Sequence, residues 1–221
     1  MLSAAVNMEL IFEKLVTGLG TTLGVFFLTL LISLPLGLLV AFGRMSKNAL
    51  VRTIVKFYIS IMRGTPLMLQ LMVVFYGPYY LFGIPLRIEY RFIAVIIGFS
   101  INYAAYFAEI YRGGIESMPV GQYEAAQLLG FNKTQTFFRI ILPQVIKRIL
   151  PSVTNEIITL VKDTSLAFVI SVSEMFTQAQ ALSAAQKSMV PLAVAGIFYY
   201  ILNYVVAFVM ELIEKKLDYY K

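Results

Sequence analysis

Two short stretches decide the fold of this chain: Glu124-Ala125-Ala126-Gln127-Leu128-Leu129-Gly130 and, ten residues after that glycine, Ile140-Ile141-Leu142-Pro143. The first stretch is polar and consists largely of good helix formers. It lies in the longest polar loop of an otherwise apolar chain. A protein embedded in lipid keeps such a loop only if something outside the lipid uses it. We therefore predict a short helix here that docks on a soluble partner.

The composition places the chain among membrane proteins. Of its 221 residues, 59% are hydrophobic and only 14% are charged, which is too little polar surface for a soluble domain. Because there is no cysteine, no disulfide or thiolate metal site can form, and the redox compartment cannot be deduced. Because there is no histidine, the commonest general base and transition-metal ligand are missing. We expect no catalytic residue, no metal site and no cofactor in this chain.

The apolar segments predict five transmembrane helices, since a helix needs about 20 apolar residues to cross a bilayer core. We place them at about 17–42, 57–81, 92–112, 149–171 and 189–213, with a cytosolic loop over 113–143. The first residues lack the basic start and the cleavage site of a signal peptide, so we expect the first span to be retained. Pro35 and Pro66 should bend or start helices.

The distribution of positive charge orients these spans. A net charge of +6 could indicate nucleic acid, but the positive residues lie in loops beside apolar spans, as the positive-inside rule predicts. Twelve of the 18 Lys and Arg residues follow span one, follow span three or close the chain at Lys221. The loop after span three and the end of the chain can both be cytosolic only if the chain crosses the membrane twice between them. The segment 149–171 must therefore be a span, despite Glu156, Lys162 and Asp163. We predict one all-α, polytopic domain, 1–221, with the N-terminus outside, the C-terminus inside and no nucleic-acid partner.

Several stretches resemble a known family. Glu-Ala-Ala followed by Gly130 and Ile-x-Leu-Pro resembles the loop of permease subunits of ABC importers. The polar amino acid branch of that family, which includes histidine, arginine and glutamine importers, is similar over nearly the whole chain. The stretches that carry this similarity are Arg63-Gly64-Thr65-Pro66-Leu67, Tyr106-Phe107-Ala108-Glu109-Ile110-Tyr111-Arg112-Gly113-Gly114-Ile115 and Lys162-Asp163-Thr164-Ser165-Leu166.

The resemblance implies a complete assembly around this chain. It implies the type I ABC importer permease fold, multi-pass in the plasma (inner) membrane of a prokaryote, paired with a second copy or a paralogue. Two ABC ATPase subunits, which bind ATP and Mg²⁺, would dock inside, and a solute-binding protein would deliver an amino acid outside. Membrane lipid would surround the spans. Transport would proceed by alternating access.

The loop 113–143 is the element that the resemblance assigns to ATPase coupling. Pro119 and Gly121 indicate a turn before a short helix, Glu124 falls in its first turn, and Gly130 stands where a helix C-cap belongs. Glu124 could pair with a basic residue of the ATPase or merely cap its own helix. Phe131, Phe137 and Phe138 could anchor the loop. The predicted coupling residues are Gly121, Glu124, Ala125, Ala126, Leu129 and Gly130.

Polar residues inside the spans form two predicted layers. Near the middle of spans two, three and four lie Gln70, Asn102 and Asp163. Seven residues nearer the cytosol, two helical turns or about 10 Å along the same face, lie Arg63, Glu109 and Glu156. Ionisable groups cost roughly 2.5–3.5 kcal/mol each in a bilayer interior, so they tend to face a water-filled cavity or one another. Arg63 and Glu109 are predicted as a gate or vestibule.

The middle layer is predicted to bind substrate through Asp163, Thr164, Ser165, Asn102 and Gln70, together with Glu156 of the layer nearer the cytosol. Thr and Ser can open their helix locally, and Asp163 can bind an ammonium group or a cationic side chain. Tyr103 and Tyr106 could line the walls or simply pack. Alternatively, Lys162 neutralises Asp163, and Arg63 is a headgroup-level anchor. The acidic excess mildly favours a cationic amino acid such as arginine, lysine or histidine.

The chain contains no Gly-x-x-x-x-Gly-Lys-Ser/Thr phosphate loop, so we expect ATP hydrolysis in a partner subunit. Two other classes of function are alternatives to an ABC importer subunit. An ion- or proton-coupled secondary carrier could use the same carboxylates, although five spans and the Glu-Ala-Ala loop do not suit it. A channel or a membrane scaffold would need no carboxylate in the middle of the membrane.

Overall fold

The structure, a computed structural model, describes residues 7–217, and every regular element in that range is a helix. Lys221 and the first six residues, on which parts of the topology and signal-peptide predictions rest, lie outside the described residues. The elements in chain order are α1 (Met8–Arg44), α2 (Ala49–Gly64), α3 (Leu67–Phe82), α4 (Tyr90–Glu116), α5 (Val120–Leu128), α6 (Lys133–Gln135), a π-helical segment (Thr136–Ile141), α7 (Leu142–Asp163), a 3₁₀ segment (Thr164–Ile170), α8 (Met175–Gln186) and α9 (Val190–Leu217).

The all-α, multi-spanning architecture is confirmed. Among the described residues α1, α4 and α9 are long and apolar enough to cross a membrane, and the bent pair α2–α3 makes a fourth span if it is counted as one. These helices fall on the predicted spans at about 17–42, 92–112, 189–213 and 57–81. With 22 residues α7 is long enough, but its charged residues make it less apolar than these helices. Its crossing of the membrane stays a prediction from charge topology.

The second predicted span is not one straight helix, because α2 and α3 meet at an angle of 111°. Thr65 is extended, with φ −122° and ψ 149°, as expected of a residue that precedes a proline. Pro66, which has no backbone N–H to donate, then stands at the N-cap of α3. Pro66 thus starts a helix as predicted, but the size of the bend could not be read from the sequence.

Small residues on α1 let two other elements approach closely. A Cβ on Gly37 would lie 2.8 Å from the Phe107 Cβ of α4, and a Cβ on Gly18 would lie 2.7 Å from the Met175 Cα of α8. Gly20, by contrast, has no atom within 4 Å of its Cβ position. Close packing therefore explains two of the glycines in the first span, while Gly20 has no packing role among residues 7–217.

The α-helix of the fourth predicted span ends at Asp163 and continues as a 3₁₀ segment to Ile170. The hydroxyl groups of Thr164 and Ser165 donate to the carbonyls of Val161 and Lys162, at 2.7 and 2.8 Å. The local change of helix type at the Thr-Ser pair agrees with the predicted opening. It places Asp163 at the end of an α-helix rather than within one.

Candidate functional site

The Asp163 carboxylate accepts a hydrogen bond from the Tyr103 hydroxyl at 2.8 Å. Asp163 is half-buried, whereas Tyr103 is only 2% exposed. The Tyr103 ring packs between Phe99 and Phe107 of its own helix, so the donor is held in place. The tyrosine occupies one carboxylate oxygen, and the other can accept a hydrogen bond from a ligand. Tyr103, predicted only as a wall or packing residue, is the direct partner of the predicted substrate carboxylate.

Gln70 and Asn102 come together as predicted, but their amide groups are already bonded. The Asn102 Nδ2 donates to Gln70 Oε1 at 2.8 Å and to the Met62 carbonyl at 3.0 Å. The Gln70 Nε2 donates to the Met62 carbonyl and to both oxygens of Thr65, at 2.8–3.1 Å. Both side chains are buried. Since they bind carbonyls around the α2–α3 bend, they stabilise that bend, and their contact with substrate stays a prediction.

Arg63 and Gln70 do not share a helix face, because the bend separates α2 from α3. That part of the two-layer prediction was wrong, and the reason is the break at Pro66. The pairs on α4 and α7, Asn102 with Glu109 and Glu156 with Asp163, do lie on continuous helices.

The structure gives Glu109 and Arg63 different partners from those of the predicted gate. Glu109 pairs with Arg112 at 2.7 Å and with Arg44 at 3.6 Å, which joins the C-terminal ends of α1 and α4. Arg63, which is exposed, lies over the Tyr106 ring at 5.2 Å from its centroid. A gate formed by Arg63 with Glu109 or Glu156 stays a prediction.

A polar face of α7 continues the site along the helix. Ser152, Asn155 and Lys162 are exposed in this chain and Thr159 is half-buried. At 100° per residue these four positions fall within an arc of about 80°, so they form one stripe on the helix. A lysine and an asparagine are costly against lipid. The stripe can face water or a further protein subunit far more favourably than it can face hydrocarbon.

The loop between α4 and α7 contains the predicted short helix, α5, whose end has the predicted form. Gly130 has φ +82°, its N–H donates to the Gln127 carbonyl, and the Phe131 N–H donates to the Ala126 carbonyl, both at 3.0 Å. These two bonds and the left-handed residue define a Schellman motif. Glu124, however, is the fifth residue of α5 rather than a first-turn residue, and Gly121 lies inside the helix rather than before it.

The surface of α5 differs in part from the prediction. Ala126 is 1% exposed, so this chain itself covers it and its predicted place on the docking surface was wrong. Phe138 is exposed and does not anchor the loop, whereas Phe137 packs beside Met118 and Ile141. The last turn presents Leu128 and Leu129, which are 89% and 75% exposed. Exposed leucines at the tip of a short helix are an apolar surface that a partner can cover.

Sequence reasoning missed Glu174, which is fully buried between the 3₁₀ segment and α8. Its carboxylate accepts from the backbone amides of Phe176 and Thr177 and from the hydroxyl groups of Thr177 and Tyr199, at 2.6–2.9 Å. Burial raises the pKa of the Glu174 carboxyl, and the hydrogen bonds from Phe176 and Thr177 oppose that rise. An acidic residue directly before a helical stretch was the signal that could have identified this N-cap.

The fold and the site define a class of protein, a multi-spanning membrane permease with a short helix, α5, in its longest polar loop. Residues 33–219 match the family model described as binding-protein-dependent transport system inner membrane component. The chain belongs to this family.

Relatives and a solved structure agree with that assignment. A Rickettsia bellii protein, provisionally named glutamine transport system permease protein GlnP, is 38% identical over 92% of each chain. The Bacillus subtilis arginine transport system permease protein ArtQ is 37% identical over 90% of each chain. A chain from the crystal structure of an amino acid ABC transporter with histidines superposes with a TM-score of 0.85 at 30% identity, covering 93% of this chain and 94% of that chain.

The predicted resemblance to amino-acid ABC importer permeases is confirmed by these matches, and with it a multi-pass membrane location. The family is a transport component and is not itself catalytic. The names of the relatives include both glutamine and arginine, so they do not decide the predicted cationic substrate.

Proposed function

We propose that this chain imports a cationic amino acid, of the arginine, lysine or histidine class, as one membrane subunit of an ATP-driven importer. The observation that carries the proposal is the half-buried Asp163 carboxylate, held by Tyr103 in the middle of the predicted fourth span. A buried carboxylate is stabilised by a cationic partner, and a substrate ammonium or guanidinium group could supply one. Glu156, also half-buried and two turns nearer the cytosol, offers a second acceptor along the same helix.

The polar stripe of α7 supports a second permease subunit, either an identical copy or a paralogue. Lys162 and Asn155 are exposed in the single chain at a depth where lipid would otherwise cover them. A facing subunit that encloses a water-filled path would remove that cost. The substrate path would then run between the two α7 helices.

The exposed tip of α5 supports docking of an ABC ATPase subunit on the cytosolic side. Two such subunits would bind ATP and Mg²⁺, and a solute-binding protein would deliver substrate to the outer face. The N-terminus would lie outside and the C-terminus inside. These parts of the assembly rest on the family resemblance and on the positive charge of the loops.

Movement of α5 has a direct mechanical route into the spans. The Arg148 guanidinium of α7 donates to the Ser117 carbonyl at the end of α4 at 2.8 Å. Next to it, a Cβ on Gly114 would lie 2.2 Å from the Ile149 Cγ2, so α4 and α7 meet without a gap. Because α5 connects these two helices, a displacement by the ATPase would move both and thereby the site at Asp163.

Uptake measurements in proteoliposomes test the substrate class. The assembled complex, supplied with its solute-binding protein, is offered radiolabelled arginine, lysine, histidine, glutamine and cystine. We expect uptake of the cationic amino acids, dependence on internal ATP, and no effect of collapsing the proton gradient. Uptake of glutamine alone would refute the substrate class. Uptake that follows the proton gradient would instead identify a secondary carrier.

Since the chain contains no cysteine, single-cysteine variants report orientation without background. A cysteine at position 125 should react with a membrane-impermeant maleimide only after the cytosolic face is opened. Reaction in sealed, right-side-out vesicles would refute the orientation.

A further inference from the structure

The α7 helix ends with two adjacent residues of opposite charge, whose side chains leave the helix in different directions. The Asp163 carboxylate accepts a hydrogen bond from the Tyr103 hydroxyl of α4 at 2.8 Å. Lys162 is exposed and lies on the polar stripe of α7. At 100° per residue, neighbouring side chains point about 100° apart. Within residues 7–217 the Lys162 ammonium has no ion-pair partner within 4 Å, although Asp163 is close enough to attract it electrostatically.

The Lys162 ammonium is therefore available to a ligand in the path that the polar stripe borders. A lysine without a partner is costly inside a membrane, and an anionic group would remove that cost. Every amino acid carries such a group, its α-carboxylate, which needs hydrogen-bond donors. The amides of Gln70 and Asn102 already donate to groups at the α2–α3 bend. Arg63, the other cation predicted near the site, lies over a tyrosine ring.

The charges on α7 are complementary to those of a cationic amino acid. Asp163 and Glu156 supply two negative charges, and Lys162 supplies one positive charge. A cationic amino acid carries two positive groups, its α-ammonium and its side chain, and one negative group, its α-carboxylate. Each charge of such a ligand thus has one partner of opposite sign on the helix. A neutral amino acid would leave one half-buried carboxylate unpaired, which is unfavourable.

We propose that the Lys162 ammonium binds the α-carboxylate of the imported amino acid. The inference rests on the proposed function, in which Asp163 accepts a cationic group of the substrate. The α-ammonium, which shares a carbon with the α-carboxylate, then pairs with Asp163, the neighbour of Lys162. The side-chain cation extends toward Glu156, two turns or about 10 Å along α7. Lys162 thereby selects amino acids over amines that lack a carboxylate.

Binding to the permease–ATPase complex without the solute-binding protein tests the selection made by the membrane subunit itself. Radiolabelled arginine, lysine, histidine and glutamine are compared by scintillation proximity. The tightest ligand is then competed with its decarboxylated amine, which is agmatine in the case of arginine. We expect the wild-type complex to prefer the amino acid to the amine.

Lys162→Gln should reduce this preference about 10- to 100-fold, the usual effect of losing a hydrogen bond between charged groups. Lys162→Arg keeps the charge and should retain most of the preference. Arg63→Gln is the matched comparison, because it removes a positive charge from α2 instead, and it should leave the preference unchanged. Because Lys162 is exposed, we expect none of its variants to lower the melting temperature of the complex.

The other outcomes separate this proposal from its alternatives. An unchanged preference in Lys162→Gln would overturn it. Tighter binding of both ligands, with the preference kept, would show that Lys162 only neutralises Asp163. An equal loss in Arg63→Gln would assign the effect to general positive charge. Glutamine as the tightest ligand would refute the proposed cationic substrate, while glutamine and its decarboxylated amine would still decide the role of Lys162.

Discussion

Replacing Gly130 by alanine should weaken coupling between substrate and ATP hydrolysis while leaving the permease inserted. The residue has φ +82°, and no atom of the described part of the chain lies within 4 Å of the position that a Cβ would occupy. The cost is therefore backbone strain and not a clash. An L-residue in the left-handed region costs roughly 1–2 kcal/mol. The two closing bonds at 3.0 Å, from Gly130 to Gln127 and from Phe131 to Ala126, depend on that conformation.

This cost matters because α5 has only nine residues, and short helices have little stability of their own. A penalty of about 1–2 kcal/mol lowers the population of the intact helix end by up to about 5- to 30-fold. Leu128 and Leu129 precede the strained residue and would lose their fixed orientation. We expect substrate-stimulated ATP hydrolysis by the reconstituted complex to fall by up to that factor, with basal hydrolysis retained.

Two variants make the reasoning testable. Gly130→Asn should keep most of the stimulated rate, since asparagine tolerates the left-handed conformation. Gly113→Ala is the control, because Gly113 has ordinary helical geometry in α4 and open space around its Cβ position. A stimulated rate for Gly130→Ala equal to that of the wild type would refute the argument. An equal loss in Gly130→Asn would assign the effect to a surface contact instead. Gly130→Glu, which adds bulk and charge at the docking surface, should uncouple the complex completely.

The remaining predictions concern the bundle and the membrane site. Asp163→Asn should reduce uptake of a cationic amino acid at least tenfold, because a charge-assisted bond is worth about 1.5–3 kcal/mol, while assembly and basal ATP hydrolysis persist; unchanged uptake would remove Asp163 from the site. Gly18→Ala should destabilise the protein by about 1–3 kcal/mol, because its Cβ would lie 2.7 Å from the Met175 backbone. Gly20→Ala, where the described residues leave open space, should not change the stability. Equal melting temperatures of the two variants in detergent would contradict the close packing of Gly18 against Met175. Glu174→Gln should cost about 1.5–3 kcal/mol, because the amide replaces an acceptor of two hydrogen bonds with a donor; an unchanged melting temperature would argue against the buried network.

Sequence patterns that extend over a few helical turns predicted the helices and helix ends that such short-range patterns determine. The apolar runs of α1, α4 and α9 follow from composition alone, and Gly130 marked the end of α5 because only a residue that tolerates positive φ suits that position. The start of α5 was less certain, since Pro119 and Gly121 both indicate a turn. Placing the start at Val120 moved Glu124 out of the first turn.

The contacts of the candidate site depend on long-range approach, which no local pattern encodes. Tyr103 and Asp163 are 60 residues apart, and Asn102 and Gln70 are 32 apart. The sequence indicated their similar depth in the membrane. It did not indicate that the amides would bind the Met62 carbonyl at the helix bend, or that the tyrosine would bind the acid.

What the sequence determined by itself is the membrane class, the long apolar helices and the short helix of the polar loop, because hydropathy and helix capping act within a few turns of chain. Only the tertiary structure decided the 111° bend between α2 and α3, the partners of Asp163 and Glu109, and the buried carboxylate of Glu174. Those features depend on how helices pack, and packing is set by the shapes of side chains from distant parts of the chain rather than by the pattern within any one of them.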